Sequence, residues 1–154
     1  MDKFAMIIFG ASGDLTKRKL MPALYSLFRE KRLTGDFHIL GIGRTIYSDE
    51  DYRSYISGEL RTFVKSEEQD AALMEAFISH LCYLPMDPAK EEGYAMLRQR
   101  LVELTNEVDP DNLLFYLATP PSLYGVVPLH LKAAGLNTPC LLYTSPSPRD
   151  VEES

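Results

Sequence analysis

Cysteine is scarce in this chain. Cys82 and Cys140 are the only two in 154 residues, too few for a disulfide framework, so a reducing cytoplasm is the expected compartment. No apolar run approaches the roughly 20 residues of a membrane-crossing helix. Met1-Asp2-Lys3 leads directly into a short apolar stretch, without the layout of a signal peptide. Positive charge is not in excess either: the net charge of -6 argues against a nucleic-acid surface. The three histidines, His38, His80 and His130, form no ligand cluster, so no catalytic metal is expected. What remains is ordinary for a soluble globular chain, 45% hydrophobic and 25% charged. The length suits one sizeable domain and not comfortably two.

Hydrophobic patterning supplies the elements. Ala5-Met6-Ile7-Ile8-Phe9 is a continuous apolar run of the kind a central parallel strand shows, buried on both faces. Leu20, Ala23, Leu24, Leu27 and Phe28 recur at helical spacing, with the helix beginning just before Pro22 and Gly35 marking its exit. Residues 37–42 read as a second strand. Ser48 followed by Asp51 is a capping box for a helix carrying Tyr52, Tyr55, Ile56, Leu60 and Phe63. Ser66 repeats the cap ahead of Leu73, Ala76 and Phe77. Residues 81–84 form a short strand, and 85–88 a turn. A helix over 89–105 turns Tyr94, Leu97, Leu101 and Leu104 inward. Residues 112–118 are a buried strand, and 122–134 a helix interrupted by Pro128. Strands alternating with helices predict an α/β, Rossmann-type parallel sheet with helices on both faces.

Gly10-x-x-Gly13 falls where such a sheet binds phosphate, after the first strand and before the first helix. Gly10 permits a tight turn and Gly13 a close approach to a pyrophosphate. The full G-x-G-x-x-G pattern is absent, and a strand-to-helix turn with unusual dihedrals would also account for the glycines. A Walker A loop is excluded because no Gly-Lys-Ser/Thr follows. Asp14 suits a helix cap better than a phosphate site. The second strand runs into Gly43-Arg44-Thr45, with Asp49 the nearest following acid. A carboxylate at that strand end would repel a 2′-phosphate, whereas arginine grips one, so Arg44 favours NADP over NAD. An ordinary solvated arginine is the plain alternative. The gap from Gly13 to Arg44 exceeds the roughly 20 residues usual for the ribose-binding position, which requires a long first helix and exit. Lys17-Arg18-Lys19 offers positive charge beside the loop or merely a solvated face.

The run Gly10-Ala11-Ser12-Gly13-Asp14-Leu15-Thr16-Lys17-Arg18-Lys19-Leu20-Met21-Pro22-Ala23-Leu24 resembles the N-terminal signature of glucose-6-phosphate dehydrogenases. Residues 41–44 resemble the family's second-strand exit, whose arginine meets the 2′-phosphate of NADP. Phe115-Tyr116-Leu117-Ala118-Thr119-Pro120-Pro121 is similar to its later strand and double-proline turn beside the nicotinamide half. A weaker likeness over residues 83–87, followed by Gly93-Tyr94-x-x-Leu97, places Met86 and Asp87 near the cofactor. Together the likeness covers residues 4 to about 138. It implies an oxidoreductase that passes a hydride from C1 of glucose 6-phosphate to NADP, giving 6-phosphogluconolactone at the entry to the pentose phosphate pathway. The implied cofactor residues are Gly10, Ala11, Ser12, Gly13, Asp14, Leu15, Arg44, Met86, Asp87 and Pro120, with Lys19 as a substrate contact. The family's histidine base and its aspartate belong to a large C-terminal domain. A substrate lysine in a glutamate-lysine-proline motif is expected soon after Leu136. None of the three histidines matches a catalytic position, so no catalytic residue is assigned. The complete family member is expected to be a homo-oligomer.

Residues 1–139 are therefore expected to be part of a nucleotide-binding domain. Residues 140–154, with Pro146 and Pro148, make a poor strand continuation and resemble translated sequencing-adapter read-through on a truncated fragment. A chain of this extent is expected to bind NADP weakly or not at all and to leave sugar phosphate unturned. Other functions compete, a structural or partner-binding protein of the same fold among them. A short-chain reductase would need a Tyr-x-x-x-Lys pair, and no tyrosine here has lysine four residues later. A non-catalytic nucleotide-sensing module is compatible with the missing base.

Overall fold

The computed structural model describes residues 4–11, 13, 16–33, 37–105, 113–119, 122, 125–134, 136 and 141–143. Five strands, β1 (Phe4–Phe9), β2 (Phe37–Gly43), β3 (Leu81–Pro85), β4 (Leu113–Leu117) and β5 (Leu141–Tyr143), form one sheet in the order β3-β2-β1-β4-β5. Every pairing is parallel. The helices are α1 (Met21–Arg29), α2 (Asp49–Phe63), α3 (Ala71–Ile78), α4 (Gly93–Thr105) and α5 (Val126–Ala133).

Side-chain alternation along the strands explains why both faces carry helices. Met6 and Ile8 of β1 pack with Leu24 and Tyr25 of α1, Tyr52, Ile56 and Leu60 of α2, and Met74 and Phe77 of α3. Ala5, Ile7 and Phe9 point the other way, into Tyr94, Leu97 and Leu101 of α4 and Val127 and Leu131 of α5. A strand apolar at every position has no other stable place than the middle of such a sandwich. The expected Rossmann-type α/β architecture is the one observed.

Several boundaries differ from the sequence reading. Before α1 the chain makes one π-helical turn, Thr16–Leu20, and Pro22 then lies in the first turn of α1, where its missing N–H is harmless. That extra turn takes up part of the long gap between Gly13 and Arg44. α1 ends at Arg29 rather than near Gly35, which lies outside the described residues. Its exit turn puts Lys31 at φ 64°, and the Arg32 N–H donates to the Leu27 carbonyl at 2.8 Å. Ser48 caps α2 as expected, its Oγ accepting from the Asp51 N–H at 3.0 Å. α3 is capped by Asp70 instead of Ser66: its Oδ1 accepts from the N–H groups of Ala72 and Leu73. α4 starts at Gly93, because Asp87 first folds a turn by accepting the Ala89 N–H on its carboxylate. Pro128 does not interrupt α5; it lies in the first turn, where no intrahelical donor is required.

The sheet order is also not broken after Pro139 in the way the prolines suggested. Leu141–Tyr143 pairs with β4 in the register Phe115↔Leu141, Tyr116↔Leu142 and Leu117↔Tyr143. Pro146 and Pro148, which lack ladder donors, come after this strand rather than inside it.

Candidate nucleotide-binding site

The turn after β1 is shaped by a glycine that cannot be replaced cheaply. Gly10 has φ +90°, and a Cβ there would stand 2.2 Å from the carbonyl oxygen of Ala118 at the β4 exit. Two consecutive amides, Gly10 and Ala11, donate to the Ile42 carbonyl of β2 at 2.9 and 3.0 Å. The Gly13 N–H closes a turn onto the Gly10 carbonyl at 3.0 Å, and Thr16 Oγ1 donates to the same oxygen at 2.8 Å. The described amides of Gly10, Ala11 and Gly13 therefore hold the loop together rather than facing an anion. Ser12, Asp14 and Leu15, the other loop residues expected at the cofactor, lie outside the described residues.

β2 and β3 deliver other expected residues to the sheet end where β1 and β4 also finish. Arg44 follows β2, Met86 and Asp87 follow β3, and Ala118 and Thr119 follow β4. Ladder-end hydrogen bonds stitch these exits together: the Met86 N–H donates to the Gly43 carbonyl at 2.8 Å, and the Ala118 N–H to the Phe9 carbonyl at 2.8 Å. The sheet order reverses between β1 and β4, and the carboxyl ends of the strands flanking such a reversal are where open α/β sheets bind ligands. Pro120 lies outside the described residues.

Arg44 is exposed, and among the described residues its guanidinium has no ion-pair partner. Asp49, the nearest following acid, is already committed. Its Oδ1 accepts the Tyr83 N–H on the outer edge of β3 at 2.8 Å, and its Oδ2 pairs with the Arg100 guanidinium. A carboxylate so engaged is held away from the role of ribose ligand. Met86 is buried and packs on Gly93, where a Cβ would lie 2.9 Å from Met86 Cβ. Asp87 carries the turn into α4.

Comparison with known proteins agrees with this geometry. The family model described as "Glucose-6-phosphate dehydrogenase, NAD binding domain" matches residues 7–144. The chain belongs to the glucose-6-phosphate dehydrogenase family. The glucose-6-phosphate 1-dehydrogenase of Aggregatibacter actinomycetemcomitans is 46% identical over 133 residues, covering 86% of this chain and 26% of that protein. The Leuconostoc mesenteroides enzyme is 32% identical over 135 residues, covering 87% of this chain and 27% of that protein. A solved glucose-6-phosphate dehydrogenase in complex with its substrate glucose-6-phosphate superposes with a TM-score of 0.76 at 34% identity, over 91% of this chain and 29% of that one. The chain thus spans about a quarter of the length of the curated relatives it matches. It carries the nucleotide-binding domain of this oxidoreductase family.

Within that glucose-6-phosphate dehydrogenase domain the three basic residues after the loop part company. Lys17 pairs with Glu59 of α2 at 3.8 Å, Arg18 lies over the Phe63 ring at 5.1 Å, and Lys19 is exposed with no ion-pair partner among the described residues. Two of the three thus dock the turn onto α2, leaving Lys19 available to a ligand. Sequence reasoning missed a tyrosine bracket beneath the site. Tyr52 donates its hydroxyl to the Ala11 carbonyl at 2.9 Å, and Tyr83 donates to the Thr45 carbonyl at 2.6 Å. The two rings lie 4.8 Å apart, with Tyr47 edge-on to Tyr83 at 5.3 Å. Burial, reinforced by neighbouring tyrosines, pushes the Tyr52 hydroxyl far up, and burial with Tyr47 pushes Tyr83 up to about 12. The two hydroxyls fix the loop and the Arg44 segment against the core, and their raised values keep them donors into alkaline solution. For Tyr52 the signal in the sequence was the helical stripe, which reads equally well as plain core, and Tyr83 stood only in a short strand with a weaker family likeness. No described helix is long and apolar enough to cross a membrane.

Proposed function

We propose that this chain is the NADP-binding part of an enzyme that oxidises glucose 6-phosphate to 6-phosphogluconolactone. The observation that carries the cofactor choice is the contrast after β2: an exposed Arg44 with no ion-pair partner among the described residues, and an Asp49 already engaged by Tyr83 and Arg100. Guanidinium matches the 2′-phosphate of NADP in charge and in its forked donors. The β1 exit also lies close against the β4 exit, where Gly10 leaves no room for a Cβ beside the Ala118 carbonyl. When bound, NADP supplies the acceptor for the hydride that leaves C1 of the sugar. The chain's own residues bind and orient. The loop of Gly10, Ala11, Ser12, Gly13, Asp14 and Leu15 receives the pyrophosphate, Arg44 holds the 2′-phosphate, and Met86, Asp87 and Pro120 border the cofactor. Lys19 reaches towards the substrate phosphate.

The sugar specificity rests on family membership and on the 34% identical structure described with glucose-6-phosphate. The test is glucose-6-phosphate-dependent NADPH formation by the full-length protein that carries this domain, followed by absorbance. Turnover is expected, with Lys19→Ala raising KM for the sugar phosphate more than it lowers kcat. Absence of turnover in the presence of bound NADP would overturn the substrate assignment.

A further inference from the structure

Arg44 opens a short span between β2 and α2 that burial does not hold. Arg44, Thr45 and Ile46 are all exposed, Ile46 by 84%. The span is fixed from its ends instead. On the β2 side the Met86 N–H holds the Gly43 carbonyl, and the Tyr83 hydroxyl holds the Thr45 carbonyl. On the other side, the start of α2 is docked on the outer edge of β3, which no strand covers among the described residues. Asp49 Oδ1 accepts the Tyr83 N–H at 2.8 Å, and one helical turn along, Arg53 Nε donates to the Leu81 carbonyl at 2.7 Å. In a parallel ladder a residue of a neighbouring strand would make these same two bonds, one on each side of Cys82. Asp49 and Arg53 thus stand in for a missing strand and set the register of α2 against the sheet. Arg100 of α4 closes on Asp49 Oδ2 from the opposite face of the sheet.

We infer that Asp49 and Arg53 are positioning residues for nucleotide choice: by seating α2 on the β3 edge they hold Arg44 where a 2′-phosphate meets it, without touching the nucleotide themselves. A guanidinium fixed in advance loses less freedom on gripping a phosphate than one carried by a loose segment. The inference rests on the NADP reading above and goes beyond it: there Asp49 is merely withheld from the ribose, whereas here it sets where Arg44 stands. The two roles open to the Asp49 carboxylate differ in sign. If its charge acted directly on the nucleotide it would repel a 2′-phosphate, and its removal would tighten NADP binding. If it positions Arg44, its removal weakens NADP binding.

The test titrates the full-length protein with NADP and with NAD by calorimetry. Asp49→Ala is expected to weaken NADP binding about three- to tenfold, the cost of ordering one long side chain on binding, and to leave NAD within about twofold. Asp49→Asn, which keeps an oxygen for the Tyr83 N–H, should retain most of the NADP affinity. Arg53→Met removes the second edge bond while keeping the stem. It should weaken NADP in the same sense, and it carries the test should Asp49→Ala fail to fold. In an Arg44→Ala background, Asp49→Ala should change NADP binding by less than about twofold, because its effect passes through Arg44. Unchanged or tighter NADP binding in the variants, equal loss of both nucleotides, or full additivity with Arg44→Ala would each overturn the inference and leave the NADP reading standing. Loss in Asp49→Asn as large as in Asp49→Ala would also overturn it, since the edge bond would then not be what acts. If the unaltered protein shows no preference for NADP, the NADP reading falls and the role of Asp49 and Arg53 falls with it.

Discussion

Replacing Gly10 by alanine tests the loop geometry at its tightest point. The residue sits at φ +90°, where a Cβ-bearing residue pays about 1–2 kcal/mol. The new Cβ would meet the Ala118 carbonyl at 2.2 Å, and since both groups are backbone or attached directly to it, no rotamer change relieves the overlap. Relief requires β1 and β4 to part at their carboxyl ends, which breaks the 2.8 Å bond from the Ala118 N–H to the Phe9 carbonyl. That bond is worth about 1 kcal/mol net. The expected loss is therefore about 3 kcal/mol, a large share of the roughly 5–15 kcal/mol that holds a domain folded. Urea unfolding followed by circular dichroism should show the midpoint falling by about 1–2 M with the slope unchanged. Gly58→Ala is the matched control. Gly58 is an exposed residue inside α2 with nothing near its Cβ position, so alanine should stabilise by about 0.5–1 kcal/mol. A loss under about 1 kcal/mol for Gly10→Ala would refute the argument from backbone contact.

Three further outcomes follow from the same structure. Tyr52→Phe leaves the Ala11 carbonyl without its buried donor and should lower stability by about 1–2 kcal/mol in urea titrations, with NADP affinity of the full-length protein falling as the loop loosens. Lys31→Gly should raise stability by about 1 kcal/mol, because lysine at φ 64° carries a left-handed penalty that glycine does not; an unchanged midpoint would count against it. Alkaline stability should fall between pH 10 and about 12. Burial raises Tyr83 from 10.0 to about 12 and Tyr52 upward as well, so the folded state keeps protons that the unfolded chain releases. The contribution is complete below pH 10 and disappears as pH rises through the folded value; Tyr83→Phe should flatten that decline.

Sheet and helix identities were legible because each apolar run has a single workable burial. β1 is apolar at every position and could only be central, and Leu97 and Leu101 recur at a spacing that only a helix turns to one side. Helix ends were less legible, since they depend on which of several competent caps wins. Ser66 and Asp70 both offer an oxygen ahead of α3, and only Asp70 reaches two free amides. The glycine loop was located correctly by its place after β1. Its hydrogen bonding was not foreseeable, because the acceptor for Gly10 and Ala11 is Ile42, far along the chain and on the neighbouring strand. The same distance hid the engagement of Asp49, whose partners Tyr83 and Arg100 belong to β3 and α4. Local pattern shows which side chains are chemically able; long-range pairing decides which are free.

The central claim is that Arg44 reads the 2′-phosphate at the end of β2. Calorimetric titration of the full-length protein and of Arg44→Ala with NADP and with NAD tests it most directly. The account predicts tighter binding of NADP by the unaltered protein and loss of about tenfold or more of that preference in the variant, with NAD binding little changed. Equal affinity for the two nucleotides, or a preference that survives removal of Arg44, would contradict it.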